Sequence, residues 1–294
     1  MLGEYLEESG IRVEHAAADA DVLIVNVALE RARTKPTVLL GNDTDLSVLL
    51  LYKFAPDTME DIILYSKQRI ISIKTLQAEV KCKSPEIIES ILFLHAFSGC
   101  DTCSSPLGVG KLGTVAKVAK LAPFARVFMD STATKEQIFD SGEQAMCVLY
   151  GLEHISLDLG RSNKYRERVI TATQAVEVQK LPPTSDACQQ HSLRVYHQIQ
   201  AWLENDLPPT DFGWEERLLP NGENTLRPVR MIKPAAPSDL LKIIRCGCKE
   251  EACATNLCSC FKAGLSCTKA CRNCKGTSCH NTGVNEDDVD DEDE

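Results

Sequence analysis

Nine of the chain's fourteen cysteines fall between Cys246 and Cys279, in the stretch CGCKEEACATNLCSCFKAGLSCTKACRNCKGTSCHN. Their spacing is C-x-C-x4-C-x4-C-x-C-x6-C-x3-C-x2-C-x4-C. A segment this short cannot bury a hydrophobic core of its own, so something other than apolar packing must hold it. A disulfide framework would strand one of nine thiols, and nothing in the chain suggests export to an oxidising compartment. Metal fits better. A tetrahedral zinc takes four thiolates, so three zincs need twelve ligand positions, and nine cysteines supply them if three each bridge two metals. Cys246, Cys248, Cys253, Cys258, Cys260, Cys267, Cys271, Cys274 and Cys279 are therefore the candidate ligands of about three zincs. The other five, Cys82, Cys100, Cys103, Cys147 and Cys188, are scattered.

The length of 294 residues leaves room for one substantial α/β domain beside that module. The formal charge of −10 is concentrated at the end, where EDDVDDEDE (286–294) holds eight acids and leaves about −2 for the rest. Residues 282–294 read as a disordered acidic tail, either a solubilising terminus or a nuclear, histone-facing one. No apolar run reaches the ~18 residues of a membrane span, and the first residues lack the basic start and apolar stretch of a signal peptide. The expectation is a soluble, intracellular protein with no membrane partner.

Patterning predicts alternating strands and helices. IRVEH reads as a strand, DADVLIVNVALERAR as a helix, TVLLG as a buried strand and NDTDLSVLLLYK as the next helix. Such β-α-β-α order implies parallel strands with functional groups gathered at their carboxyl ends. DIILYS and RIISI are two further short strands. In SPEIIESILFLHAFSG a serine followed by Pro85 and Glu86 marks a helix start. Helices are also expected over 135–151 and 186–204, the latter with Leu193, Tyr196, Ile199 and Leu203 on one core-facing stripe. Residues 205–240 contain six of the thirteen prolines and read as an interdomain linker, with Trp214 able to dock back. The expected domains are 1–204, the linker 205–240, a zinc module 241–281 and the tail.

Asp19 and Asp21 sit where the first expected strand hands over to a helix, and Asp43 and Asp45 sit where the second does. Ends of neighbouring parallel strands lie ~5 Å apart, so the four carboxylates would repel unless a cation neutralised them. Magnesium or manganese suits oxygen ligands and can activate water for phosphodiester hydrolysis. N-capping is the alternative for either pair alone. Asp101, in SGCDTCSSPLGVGK, adds a fifth acid. From Thr102 to Met129 there is no acid, whereas Lys111, Lys117, Lys120 and Arg126 are basic. GVGK reads either as a hairpin whose backbone N–H groups receive a phosphate or as an ordinary turn between helices.

The order DAD, NDTDL, GCDTCSSPLGVGK resembles the flap-endonuclease and PIN-like nuclease superfamily, over roughly residues 11–120. The resemblance implies a parallel-sheet α/β domain with a helix-hairpin-helix and a helical extension. It places Asp19, Asp21, Asp43, Asp45 and Asp101 on metal-binding, catalytic carboxylates. Gly108 and Gly110 fall on a DNA-gripping hairpin, with Lys111 and Lys117 beside it. Those nucleases begin with a further strand and aspartate that this sequence does not show. The expectation is a truncated or degenerate nuclease, or one completed by a protein partner.

The cysteine stretch resembles the tesmin/TSO1-like CXC domain, including Gly264 and Asn281, over about residues 245–281. That family inserts a tyrosine into the DNA minor groove just before the fourth cysteine; here the position is Leu257, an apolar wedge without the phenol. Lys242, Arg245, Lys249, Lys262, Lys269, Arg272 and Lys275 against Glu250 and Glu251 give +5. Three zincs with nine thiolates add −3, so about +2 remains and DNA binding is expected to be modest and salt-sensitive. Three classes stay open: a nuclear, DNA-associated nuclease-like protein of mobile-element ancestry, a non-catalytic DNA or chromatin binder, and a protein-interaction scaffold with a structural zinc cluster.

Overall fold

The computed structural model describes residues 2–17, 19–67, 69–152, 154–171, 178–220, 222–233, 245–248, 252–269, 271–277 and 279–281. The acidic tail and Lys242, Lys249, Glu250 and Glu251 lie outside the described residues. The fold is mixed α/β, about half helical, with small sheets, one parallel strand pair and a cysteine-rich cluster. It divides into two compact units, Met1–Leu149 with Gln189–Val229, and Tyr150–Cys188 with Arg230–Glu294.

The first unit begins with α1 (Leu2–Glu8), α2 (Asp21–Ala32), β1 (Thr37–Leu40), α3 (Thr44–Lys53), β2 (Ile62–Tyr65) and β3 (Ile70–Ser72). It continues through α4 (Ile73–Lys83), α5 (Pro85–Phe97), α6 (Lys111–Val115), α7 (Val118–Met129) and α8 (Lys135–Tyr150). Local chemistry explains the helix starts. Asp43 caps α3 by accepting the Asp45 N–H, Ser72 caps α4 by accepting the Thr75 N–H, and Pro85 occupies the first turn of α5, where no N–H is needed. Gln77 Nε2 donates to the carbonyls of Leu51 and Phe54, closing the end of α3 from inside the core.

The sheet departs from expectation in three ways. IRVEH forms no strand: residues 11–16 are irregular, Ile11 is exposed, and β1 pairs only with β2 among the described residues. Alternating residues become a strand only when a neighbour accepts their ladder, and here none does. Second, β2 pairs with β1 in parallel but with β3 antiparallel, so the sheet is mixed. Third, β1 is only half covered. Leu39, Ile62 and Leu64 are buried on one face, while Val38 (60 %) and Leu40 (75 %) stand exposed on the other with Tyr65 and Ile70.

The core is built by α5, whose Phe93 stacks on Phe97 at 4.8 Å between centroids and packs on Phe128 of α7 at 4.8 Å. Helix α10 (Ser185–Trp202) adds buried Leu193, Tyr196, Ile199 and Trp202, as its stripe predicts. The expected linker is not featureless. β4 (Trp214–Leu218) and β5 (Asn224–Pro228) form an antiparallel hairpin, and Arg194 Nη1 donates to the Gly213 carbonyl. The prolines end strands or sit in turns, leaving two five-residue runs able to pair. Its last residues, 234–240, lie outside the described residues.

In the second unit, α9 (Leu157–Thr171) packs Gly160 against Leu152. Among its described residues the cysteine module contains one α-helical turn, α11 (Ser259–Lys262), and a 3-10 turn at Ala252–Ala254. Otherwise it is held by turns and by its sulfurs.

Candidate metal centres

The first centre is assembled by two helix starts. Oxygens of Asp21, at the start of α2, and of Asp43 and Asp45, at the start of α3, all lie within 4.8 Å of one another. Asp21 reaches this point without the expected strand, because α2 packs on α3. Burial, followed by the charges of Asp19, Asp43, Asp45 and Asp101, raises the Asp21 carboxyl to about 6. Asp43 also caps α3, its Oδ1 accepting from the Asp45 N–H at 3.0 Å, whereas Asp19 Oδ1 accepts from the Asp21 N–H at 3.2 Å one residue ahead of Ala20, the N-cap of α2. Capping and convergence are thus both present.

Asp45 is buried and meets His95 of α5, with Nε2 and Oδ1 2.6 Å apart. On its other side His95 Nδ1 lies 2.9 Å from Lys111 Nζ. An ammonium only donates, so Nδ1 accepts, Nε2 carries the proton, and a neutral imidazole donates to Asp45. Lys111 also donates to the Gly99 carbonyl at 2.7 Å. Burial lowers the Lys111 pKa, with Cys100 and Asp45 opposing the shift. A chain Lys111–His95–Asp45 therefore anchors Oδ1 of the central carboxylate, which is how outer partners orient a ligand. Sequence reasoning missed His95; its only signal was a histidine inside the apolar run ILFLHAF.

The remaining residues are placed differently. Asp101 is exposed and contributes charge to Asp21 rather than an oxygen to the triad. Gly108 has φ 81°, and Gly110 precedes α6, a helix of only five residues. Lys117 Nζ donates to the carbonyls of Val148 (3.0 Å) and Leu149 (2.6 Å) near the end of α8. Lys111 and Lys117 are thus engaged inside the fold. The hairpin presents Leu107 and Leu112 to solvent.

The second centre is sulfur. Cys246 Sγ lies 3.8 Å from Cys253, 3.8 Å from Cys267 and 3.7 Å from Cys274, and Cys258 lies 3.8 Å from Cys267. Four thiolates at ~2.3 Å from one zinc stand ~3.8 Å apart along the tetrahedron edge, whereas a disulfide would bring them to ~2.05 Å. The spacing is that of a metal site. Three tetrads have sulfurs within 4.8 Å: Cys246, Cys248, Cys253 and Cys258; Cys246, Cys260, Cys267 and Cys271; and Cys246, Cys253, Cys267 and Cys274. Cys279 contacts Cys274, Cys267 and Cys253 through its thiol. Eight of the nine sulfur residues are buried, Cys248 being the partly exposed one.

Backbone details support this packing. Gly276, at φ 65°, lies so close to the Cys267 carbonyl that a Cβ would sit 2.5 Å from its oxygen, so only glycine fits. Asn281 Nδ2 donates to the Leu265 carbonyl at 2.9 Å and lies 3.5 Å from Cys267 Sγ. Leu257 is 85 % exposed beside buried Cys258, and Lys262, Lys269 and Arg272 are exposed. Comparison with protein-family models, curated proteins and solved structures finds no match. The site geometry therefore carries the assignment: a protein with a cysteine cluster suited to zinc, consistent with a CXC-like module.

Proposed function

We propose that the chain is a nuclear, DNA-associated protein whose zinc-built CXC-like module docks on duplex DNA and whose α/β unit is a PIN-like, nuclease-related domain. The observation that carries the reading is Leu257, an apolar side chain 85 % exposed on a scaffold whose sulfurs are buried and which also exposes Lys262, Lys269 and Arg272. That is the form of a minor-groove wedge. Three zincs use all nine cysteines if Cys279 replaces Cys246 in the third tetrad: Cys246, Cys253 and Cys267 then bridge, and each of the other six binds one metal.

In the α/β unit, Asp21, Asp43 and Asp45 are the residues that would hold magnesium or manganese, which supplies Lewis-acid activation of water in phosphodiester hydrolysis. His95 and Lys111 orient Asp45. A protein partner is favoured by the sheet face of Val38, Leu40, Tyr65 and Ile70, since sheets with parallel strands are normally covered on both faces. No described helix is long and apolar enough to cross a membrane.

Fluorescence anisotropy of zinc-loaded protein with a labelled duplex, repeated over a salt series, tests the reading. Binding at low salt with a shallow log–log slope of about −2, weakened at least several-fold by Leu257→Ala, is expected. No binding at low salt would leave the module a structural scaffold.

A further inference from the structure

Cys100 and Cys103 belong to neither centre, yet the fold holds them as a pair. Each donates its backbone N–H to the other's carbonyl, both at 3.1 Å. Residues joined by such a reciprocal pair have Cα atoms ~5.5 Å apart, within the span a disulfide bridges. Their thiols are hydrogen-bond partners. Thr102 Oγ1 lies 3.5 Å from Cys100 Sγ and 3.7 Å from Cys103 Sγ, and its hydroxyl donates to Gln198 Oε1 at 2.6 Å, which fixes the turn between them. Access is unequal. Cys103 is 4 % exposed, whereas Cys100 is open to solvent in part and has Lys111 within electrostatic range. One sulfur can be reached from outside, and the other only through the first.

We propose that Cys100 and Cys103 form a redox-active dithiol that reduces low-molecular-weight disulfides of the glutathione type and closes a disulfide around Asp101. The Cys100 thiolate attacks one sulfur of the small disulfide, whose S–S bond breaks, and the departing thiolate takes up a proton. Cys103 then loses its proton and attacks Cys100 Sγ, and the second small thiolate leaves and is protonated. Two protein thiols are oxidised by two electrons, and one disulfide is reduced to two thiols. Hydrogen bonds from the Cys103 thiol and from Thr102 favour thiolate at Cys100, and the reciprocal backbone bonds spare the ring any rearrangement.

The test uses the zinc-loaded full chain equilibrated in glutathione buffers from fully reduced to fully oxidised, then alkylated and cut with trypsin. Peptide Ser84–Lys111 contains Cys100 and Cys103 and no other cysteine, so its mass reports this pair alone. Expected is a peptide lighter by two hydrogen atoms, with neither thiol alkylated, whose fraction rises as the buffer becomes oxidising and falls when it is reversed. With Cys103→Ser, glutathione should remain attached at Cys100; with Cys100→Ser, the peptide should neither lose hydrogen nor gain glutathione. Full alkylation of both thiols in the wild type at every buffer ratio overturns the proposal. So does glutathione attachment at Cys103 in the Cys100→Ser protein as rapid as that at Cys100 in Cys103→Ser.

Discussion

The carboxylate triad and the cysteine cluster both gather like groups at distances that suit a metal, but the chain reaches them by opposite routes. At the triad, a hydrophobic core places α2, α3 and α5 first, and the acids are carried together against their own repulsion. Burial and four neighbouring carboxylates raise Asp21 to about 6, a direct sign of that conflict. In the cysteine module the sulfurs themselves form the interior, with α11 as its one described α-helix. There the core is sulfur. The lesson is that one centre should survive without its ion and the other should not.

The largest effect that could break this comparison is removal of zinc ligands. Zinc contributes on the order of 10–16 kcal/mol to such small folds. Cys246→Ser removes a proposed bridge and should lower zinc content by two per chain, whereas Cys248→Ser should lower it by one. Elemental analysis decides between them. In both variants the module should become protease-sensitive while the main thermal transition of the α/β unit stays unchanged; a joint collapse would contradict the division.

Next in size is His95→Leu. It leaves buried Asp45 without its 2.6 Å partner and should cost about 1–3 kcal/mol, read from urea unfolding with the zinc module intact. It should also weaken the rise in Tm produced by magnesium, whereas zinc content should not change.

A smaller, pH-dependent effect isolates Asp21. Its folded pKa of about 6 lies above its ordinary value of 3.8, so it is protonated, and harmless, in both states only well below pH 3.8. Its destabilising effect develops as pH rises from about 3.8, where the unfolded chain gives up the proton, and is complete above about 6. His191 works against it. Burial holds it down to about 4 against the opposing hydrogen bond to the Phe97 carbonyl (3.1 Å), and the stability it contributes is full above its ordinary pKa and is lost as pH falls from about 6.5 towards 4. The wild-type profile mixes the two, so the measurement is a difference. In chelator, Asp21→Asn should be more stable than wild type at pH 7, and the gap should close towards pH 4. A constant gap would mean that Asp21 is not in conflict with its neighbours.

The smallest effect is Asp101→Asn. Its exposed charge adds only a screened contribution at Asp21, so the metal-free protein should gain roughly a few tenths of a kcal/mol. Because Asp101 supplies no oxygen to the triad, the magnesium-induced rise in Tm should fall only slightly. A loss as large as that of Asp45→Asn would return Asp101 to the ligand set.

Much of this was legible in the residues. The helix starts at Asp43 and Pro85 depend on local capping, and the zinc reading depends on spacing and parity, both one-dimensional properties of the chain. The approach of Asp21 to Asp43 and Asp45 comes about by a route other than the expected one: the strand expected at 11–15 does not form, and helix packing brings Asp21 in without Asp19. Alternation alone cannot create a strand, because its hydrogen bonds belong to a neighbour. The hairpin inside the linker was hidden for a related reason, since proline density masked two runs that pair with each other.

Residue order by itself determined the cysteine centre, because zinc chemistry needs little more than thiols at short separations along a chain. It also determined which acids begin helices. Only the tertiary structure decided that His95 and Lys111 hold Asp45, that Lys117 closes a helix end, and that Val38 and Leu40 face outward from a half-covered sheet. Those contacts join residues 16 to 50 positions apart through a packed core. Such pairings are chosen by the shape and burial of the assembled elements, which no local pattern encodes.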